Sequence, residues 1–188
     1  MKILLVNNHT LHLEHLLESL AGHEVEVVEY LPGVRLNHAG KDLILLSGGG
    51  GEGLEISDKY RRGKLWYHDQ MEFVRNVNKP VVGICMGFEV IARAFGAPVK
   101  RMKRGLVHGY FKLDTTPEGR RALGDNQLLQ YKAHSWHVPQ PPQDFEVLAV
   151  SPDGIEIIKH RHRPILAVQF HPEKGGTLQL KELLAAAV

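Results

Sequence analysis

The stretch Pro80-Val81-Val82-Gly83-Ile84-Cys85-Met86-Gly87-Phe88-Glu89 decides the fold of this chain. Residues 80–84 form a short apolar run that begins with proline, which is typical of a strand buried on both faces. A helix is predicted directly afterwards, through residues 89–95, and no residues remain for a loop between the two elements. Cys85 is therefore predicted to lie in a tight turn between a buried strand and a helix.

The residues that precede this turn alternate between strand and helix patterns. Thr10 is expected to cap the first helix and Gly22 to end it. Strands are predicted over 2–6, 24–30 and 42–46, and a second helix over 67–77. This order indicates βαβ units, and hence an α/β fold with a mostly parallel mixed sheet flanked by helices.

The second half of the chain has a different pattern. Short strands separated by turn residues are predicted over 106–113, 128–132, 145–150, 154–160 and 165–169, and a closing helix over 177–187. No linker composition or internal repeat divides the chain. We therefore expect residues 1–188 to form a single domain, a common size for one hydrophobic core.

Composition excludes several classes of protein. The 188 residues are 43% apolar and 23% charged, which rules out a disordered chain, and a net charge of +2 gives no case for binding nucleic acid or a membrane surface. No run approaches the roughly 18 apolar residues of a membrane helix. The single cysteine, Cys85, excludes an internal disulfide and a Cys-rich zinc site. A free thiol without an export signal leads us to expect a cytoplasmic protein.

The position of Cys85 favours a nucleophile. A residue in a sharp strand-to-helix turn is exposed at the end of the sheet, and Gly83 and Gly87 allow the neighbouring backbone to pass close by. The N-terminus of the helix favours the thiolate over the thiol. The backbone N–H of Met86 is then in position to stabilise an oxyanion.

A cysteine nucleophile needs a base, and the base needs a partner that orients it. The sequence Val168-Gln169-Phe170-His171-Pro172-Glu173 supplies both. A strand delivers His171 at its end, where Pro172 stops the strand. Glu173 can hold one imidazole nitrogen while the other faces Cys85.

These motifs give the chain a clear resemblance to the class I, triad-type glutamine amidotransferases. Four stretches match in order: Ser-Gly-Gly-Gly at 47–50, Gly-Ile-Cys-Met-Gly at 83–87, Ala-His-Ser-Trp at 133–136 and Gln-Phe-His-Pro-Glu at 169–173. The resemblance covers nearly the whole chain. It implies a flavodoxin-like mixed sheet flanked by helices, in agreement with the alternation of predicted elements.

The resemblance also implies an activity. Cys85 would attack the side-chain carboxamide of glutamine, with His171 as base and later acid and Glu173 as its orienting partner. Ammonia would leave and pass to a synthetase partner, and water would hydrolyse the thioester to glutamate, without a cofactor or a metal. The oxyanion hole would comprise Gly49 and Met86, and the substrate contacts would come from Gly48, Gly50, Glu89, Ser135 and Trp136.

Glu89 departs from the family pattern, which usually has Gln four residues after the nucleophile. An ionised carboxylate cannot donate hydrogen bonds and repels a nearby carboxylate. Glu89 could instead pair with Arg93, four residues later on the helix. Two further functions therefore stay open: hydrolysis of a different γ-glutamyl or amide substrate, and a regulatory or binding role without catalysis.

The synthetase partner is also open. Ser47-Gly48-Gly49 resembles the amidotransferase subunit of GMP synthetase, which we slightly favour. His108-Gly109 and His134-Ser135 resemble the anthranilate and aminodeoxychorismate synthase subunits.

Two rival patterns carry less weight. Gly48, Gly50 and Gly53 satisfy Gly-x-Gly-x-x-Gly, but no helix clearly opens at Gly53 and no acidic residue follows at the spacing that dinucleotide binding requires. Histidines recur at 9, 12 and 15, but no carboxylate or cysteine pattern completes a metal site.

Overall fold

The computed structural model describes residues 1–50 and 54–188. Its strands are β1 (Lys2–Asn7), β2 (Glu24–Glu29), β3 (Leu43–Leu46), β4 (Val81–Ile84), β5 (Lys100–Arg101), β6 (Val107–Thr115), β7 (Gln127–His134), β8 (Trp136–His137), β9 (Phe145–Ser151), β10 (Gly154–His160) and β11 (Ile165–Val168). Its helices are α1 (Leu13–Ser19), α2 (His68–Asn76), α3 (Met86–Ala94), α4 (Pro117–Leu123) and α5 (Leu180–Ala187), with 3-10 turns at Arg61–Gly63 and Pro172–Lys174.

Nine strands form one sheet in the order β2-β1-β3-β4-β11-β10-β9-β6-β7. The strands from β2 to β11 pair in parallel, and each later pairing is antiparallel, so β10 and β6 run against the direction of the others. β5 and β8 form a separate antiparallel pair. The predicted α/β fold with a mixed, mostly parallel sheet is confirmed.

Burial on both faces explains why the central parallel strands have apolar sequences. β3, β4 and β11 are buried along their whole length, so both faces of each strand carry apolar residues. One face packs against α2 and α3 and the other against α1 and α5, which gives an apolar cluster on each side of the sheet. The segments that follow β1, β3, β4 and β11 emerge together at the carboxyl ends of these strands, where α/β sheets bind ligands.

The helices differ from the prediction in two places. Thr10 does not cap α1: the cap position is His12, whose backbone N–H donates to Thr10 Oγ1 at 3.2 Å. The sequence analysis also missed α4, which Thr116 caps by accepting the N–H of Gly119 at 3.0 Å. Within the described ranges, the helices are too short or too polar to cross a membrane.

The antiparallel half contains a buried cation. The side chain of Lys132 on β7 is fully buried, and its Nζ donates to Glu156 Oε1 at 2.5 Å, Asp153 Oδ2 at 2.6 Å and Ser151 Oγ at 3.1 Å. Two carboxylates thus compensate one ammonium, which a buried charge requires. The cluster ties β7 to β10 and to the turn between β9 and β10.

Candidate active site

Cys85 occupies the turn between β4 and α3 in a conformation that side chains rarely adopt. Its φ is 51° and its ψ is −104°. Two backbone hydrogen bonds fix it there: its N–H donates to the carbonyl of Val168 at 2.8 Å, and its carbonyl accepts the N–H of Glu89 at 3.1 Å. The surrounding structure must impose this strain, and strained residues of this kind are common at functional sites.

The two glycines around Cys85 make the turn possible. A Cβ on Gly83 would lie 2.7 Å from the carbonyl carbon of Gly87, and a Cβ on Gly87 would lie 2.9 Å from the carbonyl carbon of Leu46. The backbone N–H of Gly87 also donates to the carbonyl of Ser47 at 3.1 Å. The start of α3 is therefore packed directly against the ends of β3 and β4.

His171 and Glu173 form a buried pair beside Cys85. The Nδ1 of His171 lies 2.8 Å from Glu173 Oε1, and both side chains are nearly inaccessible to solvent. The 3-10 turn that begins at Pro172 brings Glu173 back toward the ring, and the backbone N–H of His171 donates to the carbonyl of Tyr131 at 2.8 Å. His171 and Cys85 both border Gly48, where an added Cβ would lie 3.0 Å from His171 Cε1 and 3.5 Å from Cys85 Cβ.

The charge state of His171 follows from these neighbours. Burial lowers its pKa, but the negative charge and hydrogen bond of Cys85, followed by Glu173, outweigh burial and raise the pKa of His171 to about 10. At neutral pH the ring of His171, which lies between Cys85 and Glu173, is therefore an imidazolium. A thiolate paired with an imidazolium is the activated form of a cysteine nucleophile.

The loop after β3 lies against this group. A Cβ on Gly48 would be 3.0 Å from His171 Cε1, and a Cβ on Gly49 would be 3.2 Å from Met86 Cβ. Ser47 anchors the loop, since its Oγ accepts the backbone N–H of Asn8 at 2.8 Å. Gly50 forms a β-bridge with Thr10, while Gly51 and Gly53 fall outside the described residues.

A cavity of about 420 Å³ opens beside Cys85. It brings together Gly49, Gly50, Met86, Glu89, Ser135 and Trp136, which the sequence analysis singled out. Gly48 instead contacts the triad itself through His171. The cavity is large enough for a small amino acid, and the predicted nucleophile lies in its wall.

Glu89 is a buried carboxyl group in the wall of this cavity. It is 3% exposed, and its Oε1 accepts a hydrogen bond from Gln169 Nε2 at 2.9 Å. Burial raises the pKa of Glu89 to about 7 despite that hydrogen bond. Arg93 donates elsewhere, to the carbonyls of Ile56 at 3.2 Å and Val99 at 3.3 Å. Glu89 therefore faces the cavity rather than solvent.

Residues 134–136, which line the cavity together with Cys85, are held in place by hydrogen bonds. The carbonyl of Ser135 accepts the N–H of Met102 at 2.8 Å, and the carbonyl of Trp136 accepts from His134 Nδ1 at 2.7 Å. Burial lowers the pKa of His134 to about 3, so its ring is neutral and Nδ1 carries the proton. The backbone of residues 135–136 is thus fixed before any ligand arrives.

Sequence reasoning missed three residues of the site. Gln169 holds Glu89, and both His12 and Arg101 line the cavity. Gln169 was visible within the Gln-Phe-His-Pro-Glu motif. His12 stood out only as one of three regularly spaced histidines, and Arg101 carried no signal for this site, because both approach the cavity only through the tertiary fold. Over residues 1–50 and 54–188, the structure contains no group of three or more His, Cys, Asp or Glu side chains that could hold a metal ion.

Comparison with known proteins agrees with this geometry. A subunit of the glutamine-hydrolyzing GMP synthase of Methanospirillum hungatei is 38% identical over 112 residues, which are 57% of this chain and 57% of the relative. Anthranilate synthase component 2 of Archaeoglobus fulgidus is 40% identical over 105 residues, or 55% of this chain and 57% of the relative. The matched stretches thus span little more than half the length of these curated relatives.

Solved structures show the same fold. A candidate GMP synthase subunit from Thermoplasma acidophilum superimposes with a TM-score of 0.75 at 24% identity, over 100% of this chain and 92% of that one. A glutamine amidotransferase from Thermotoga maritima gives a TM-score of 0.71 at 18% identity, over 92% and 76%. A model of the family described as "Glutamine amidotransferase class-I" matches residues 4–188, and the chain therefore belongs to the class-I glutamine amidotransferases.

Proposed function

We propose that this chain is a glutaminase subunit that releases ammonia from glutamine through a Cys85 thioester. The observation that carries the proposal is Cys85 in a strained turn beside His171, which pairs with Glu173 at 2.8 Å. A positioned thiolate, a base and an orienting carboxylate are what acyl transfer from an amide requires.

The reaction has two halves. The Cys85 thiolate attacks the carboxamide carbon, His171 gives its proton to the departing nitrogen, and ammonia leaves a γ-glutamyl thioester. His171, now neutral, takes a proton from water as the water oxygen attacks the thioester carbon. The carbon–sulfur bond then breaks, which releases glutamate and regenerates the thiolate–imidazolium pair. Glu173 keeps the ring oriented through both halves.

The oxyanion would be stabilised by backbone N–H groups of Gly49 and Met86. Met86 is the first residue of α3, so its N–H has no acceptor within the helix. Gly49 packs directly against Met86, which supports a shared site for the oxygen. Gly48 and Gly50 would complete the loop around the substrate, and Ser135 and Trp136 would contact its amino-acid end.

The ammonia would pass to a synthetase. The relatives are named for GMP synthase and anthranilate synthase, and both names support a partner that uses the released nitrogen. We slightly favour a GMP synthetase type. A single free thiol, Cys85, suits the reducing cytoplasm.

Glu89 supports a second candidate, an amide hydrolase with a different γ-glutamyl substrate. Its carboxyl group lies in the cavity wall and is about half ionised near pH 7. A negative charge there disfavours the α-carboxylate of glutamine, while a substrate without that carboxylate escapes the repulsion.

Assays of amide hydrolysis and of Cys85 labelling separate the glutaminase, the alternative amide hydrolase and a binding role. We expect the protein to release glutamate from glutamine, Cys85→Ser to abolish release, and a glutamine-like chloroketone to label Cys85. Iodoacetamide should alkylate Cys85 faster than free cysteine at equal pH, because the charged ring of His171 and the N-terminus of α3 lie next to it. Release from γ-glutamyl amides but not from glutamine would favour the second candidate. Reaction of Cys85 only after denaturation would contradict both enzymes and leave a binding role.

A further inference from the structure

His12 lies directly against the base of the proposed triad. The centroid of its ring is 4.9 Å from that of His171, with an angle of 83° between the ring planes. Its backbone is fixed at the cap of α1 through the hydrogen bond to Thr10, and its side chain lines the cavity beside Cys85. A second titratable ring thus touches the base without belonging to the triad.

We propose that His12 is a positioning residue for His171: its neutral ring packs against the imidazolium, and protonation of His12 in acid opposes the charge that His171 must carry. The effect on turnover rests on the glutaminase reaction proposed above. The coupling between the two rings does not depend on that reaction.

The surroundings of His12 disfavour a positive charge. Lys174 Nζ lies 3.1 Å from His15 Nε2 next to it, which places an ammonium near the ring. The carboxylate in the group is already bonded to His171. The titratable groups that face His12 are His15 from its own helix, Tyr131 from β7, and His171, Glu173 and Lys174 from the segment after β11.

Burial, and after it the charge of His171, lower the pKa of His12 below its usual 6.5. The ring is therefore neutral at neutral pH, where an aromatic ring stabilises a neighbouring cation. Below that pKa, two cationic rings would lie at contact distance. The first half of the reaction needs a charged His171, which gives its proton to the leaving nitrogen, so protonated His12 should slow that half.

The electrostatic coupling between His12 and His171 must be reciprocal, so the charge of each ring affects the pKa of the other. If the charge of His171 lowers the pKa of His12, removing that charge must let the pKa of His12 rise. This relation can be measured without any substrate.

The first test is a titration of the histidine ring resonances by NMR, in the wild type and in His171→Gln. The His12 signal is identified by its loss in His12→Phe. We expect the pKa of His12 to rise by at least about 0.5 pH unit in His171→Gln. His23, which contacts the N-terminal amine at the start of β2, serves as the internal control and should not shift. An unchanged His12 titration would overturn the proposal.

The second test is the pH profile of glutamate release. His12→Phe keeps an aromatic ring but cannot be protonated, so its acid limb in kcat should move down by at least about 0.5 pH unit, with KM within about twofold. His23→Phe is the matched control and should reproduce the wild-type profile. An unmoved acid limb in His12→Phe would count against the role of His12. If the wild type releases no glutamate, the proposed function fails, and the NMR titration alone decides the coupling.

Discussion

Replacing Glu89 with Gln should stabilise the protein at alkaline pH and much less in acid. Glu89 is 3% exposed, and burial raises its pKa from 4.5 to about 7 in the folded state. As pH rises, the unfolded chain loses this proton first, so ionisation favours unfolding. The penalty is absent well below pH 4.5, grows between 4.5 and about 7, and is complete above that range.

The magnitude follows from the same interval. The rise in the pKa of Glu89 from 4.5 to about 7 corresponds to ~3 kcal/mol of lost stability when the group is ionised, at about 1.36 kcal/mol per pH unit. Gln has nearly the volume of Glu and keeps an oxygen that can accept from Gln169. We therefore expect Glu89→Gln to raise the free energy of unfolding by ~3 kcal/mol at pH 8 and by ~1 kcal/mol at pH 5.

The assay is urea denaturation of both proteins at pH 5 and pH 8, followed by circular dichroism. Glu55→Gln is the matched control, because Glu55 is an exposed carboxyl group on the same cavity and should give no pH-dependent gain. An equal gain for Glu89→Gln at the two pH values, or a loss at pH 8, would refute the idea of a buried carboxyl group that ionises at a cost.

Three further measurements test the site. Glu89→Gln should lower KM for glutamine by about 5- to 100-fold at pH 8 and by much less at pH 6, where Glu89 is largely protonated. If the ratio of the wild-type KM to the variant KM were the same at both pH values, repulsion of the substrate by Glu89 would be contradicted. His171→Ala should reduce kcat by several orders of magnitude and Glu173→Ala by less, since Glu173 orients the ring and transfers no proton; the reverse order in stopped assays would exchange their roles. Gly83→Ala should cost about 1–3 kcal/mol of stability because its Cβ meets the backbone of Gly87, and an unchanged urea midpoint would show that α3 can move away from β4.

The parallel half of the fold and the proximity of Cys85, His171 and Glu173 could be predicted because their signals are local. Strands buried on both faces appear as continuous apolar runs, and Cys85 follows one of them without a loop. His171 and Glu173 are two residues apart, so a short 3-10 turn brings them together. Helix α4 was missed although Thr116, Pro117 and Gly124 carry cap signals, because its seven residues are mostly polar and have no apolar periodicity.

Other features depend on contacts that no local pattern contains. His12 meets His171 only because α1 packs beside the segment after β11. The orientation of β7 is equally hidden: its buried face carries Leu128, Gln130, Lys132 and His134, while Leu129 on the opposite face is exposed. Alternation alone cannot predict a buried Lys132, because the carboxylates that compensate it come from another part of the chain.

The buried Lys132 also stabilises one register of β7 against β6 over the alternatives. Side chains alternate along a strand, so a slip of one residue against β6 would bring Tyr131 to the inner face and turn the ammonium outward. Glu156 would then be buried without its cation, at a cost of about 3–5 kcal/mol, while Asp153 would keep only its ion pair with Arg104. Residues 135–136 directly follow β7 and line the cavity. The register of β7 therefore also sets the position of this part of the cavity wall. The slipped register would be less stable, so the stable fold is the one in which residues 135–136 line the cavity beside Cys85.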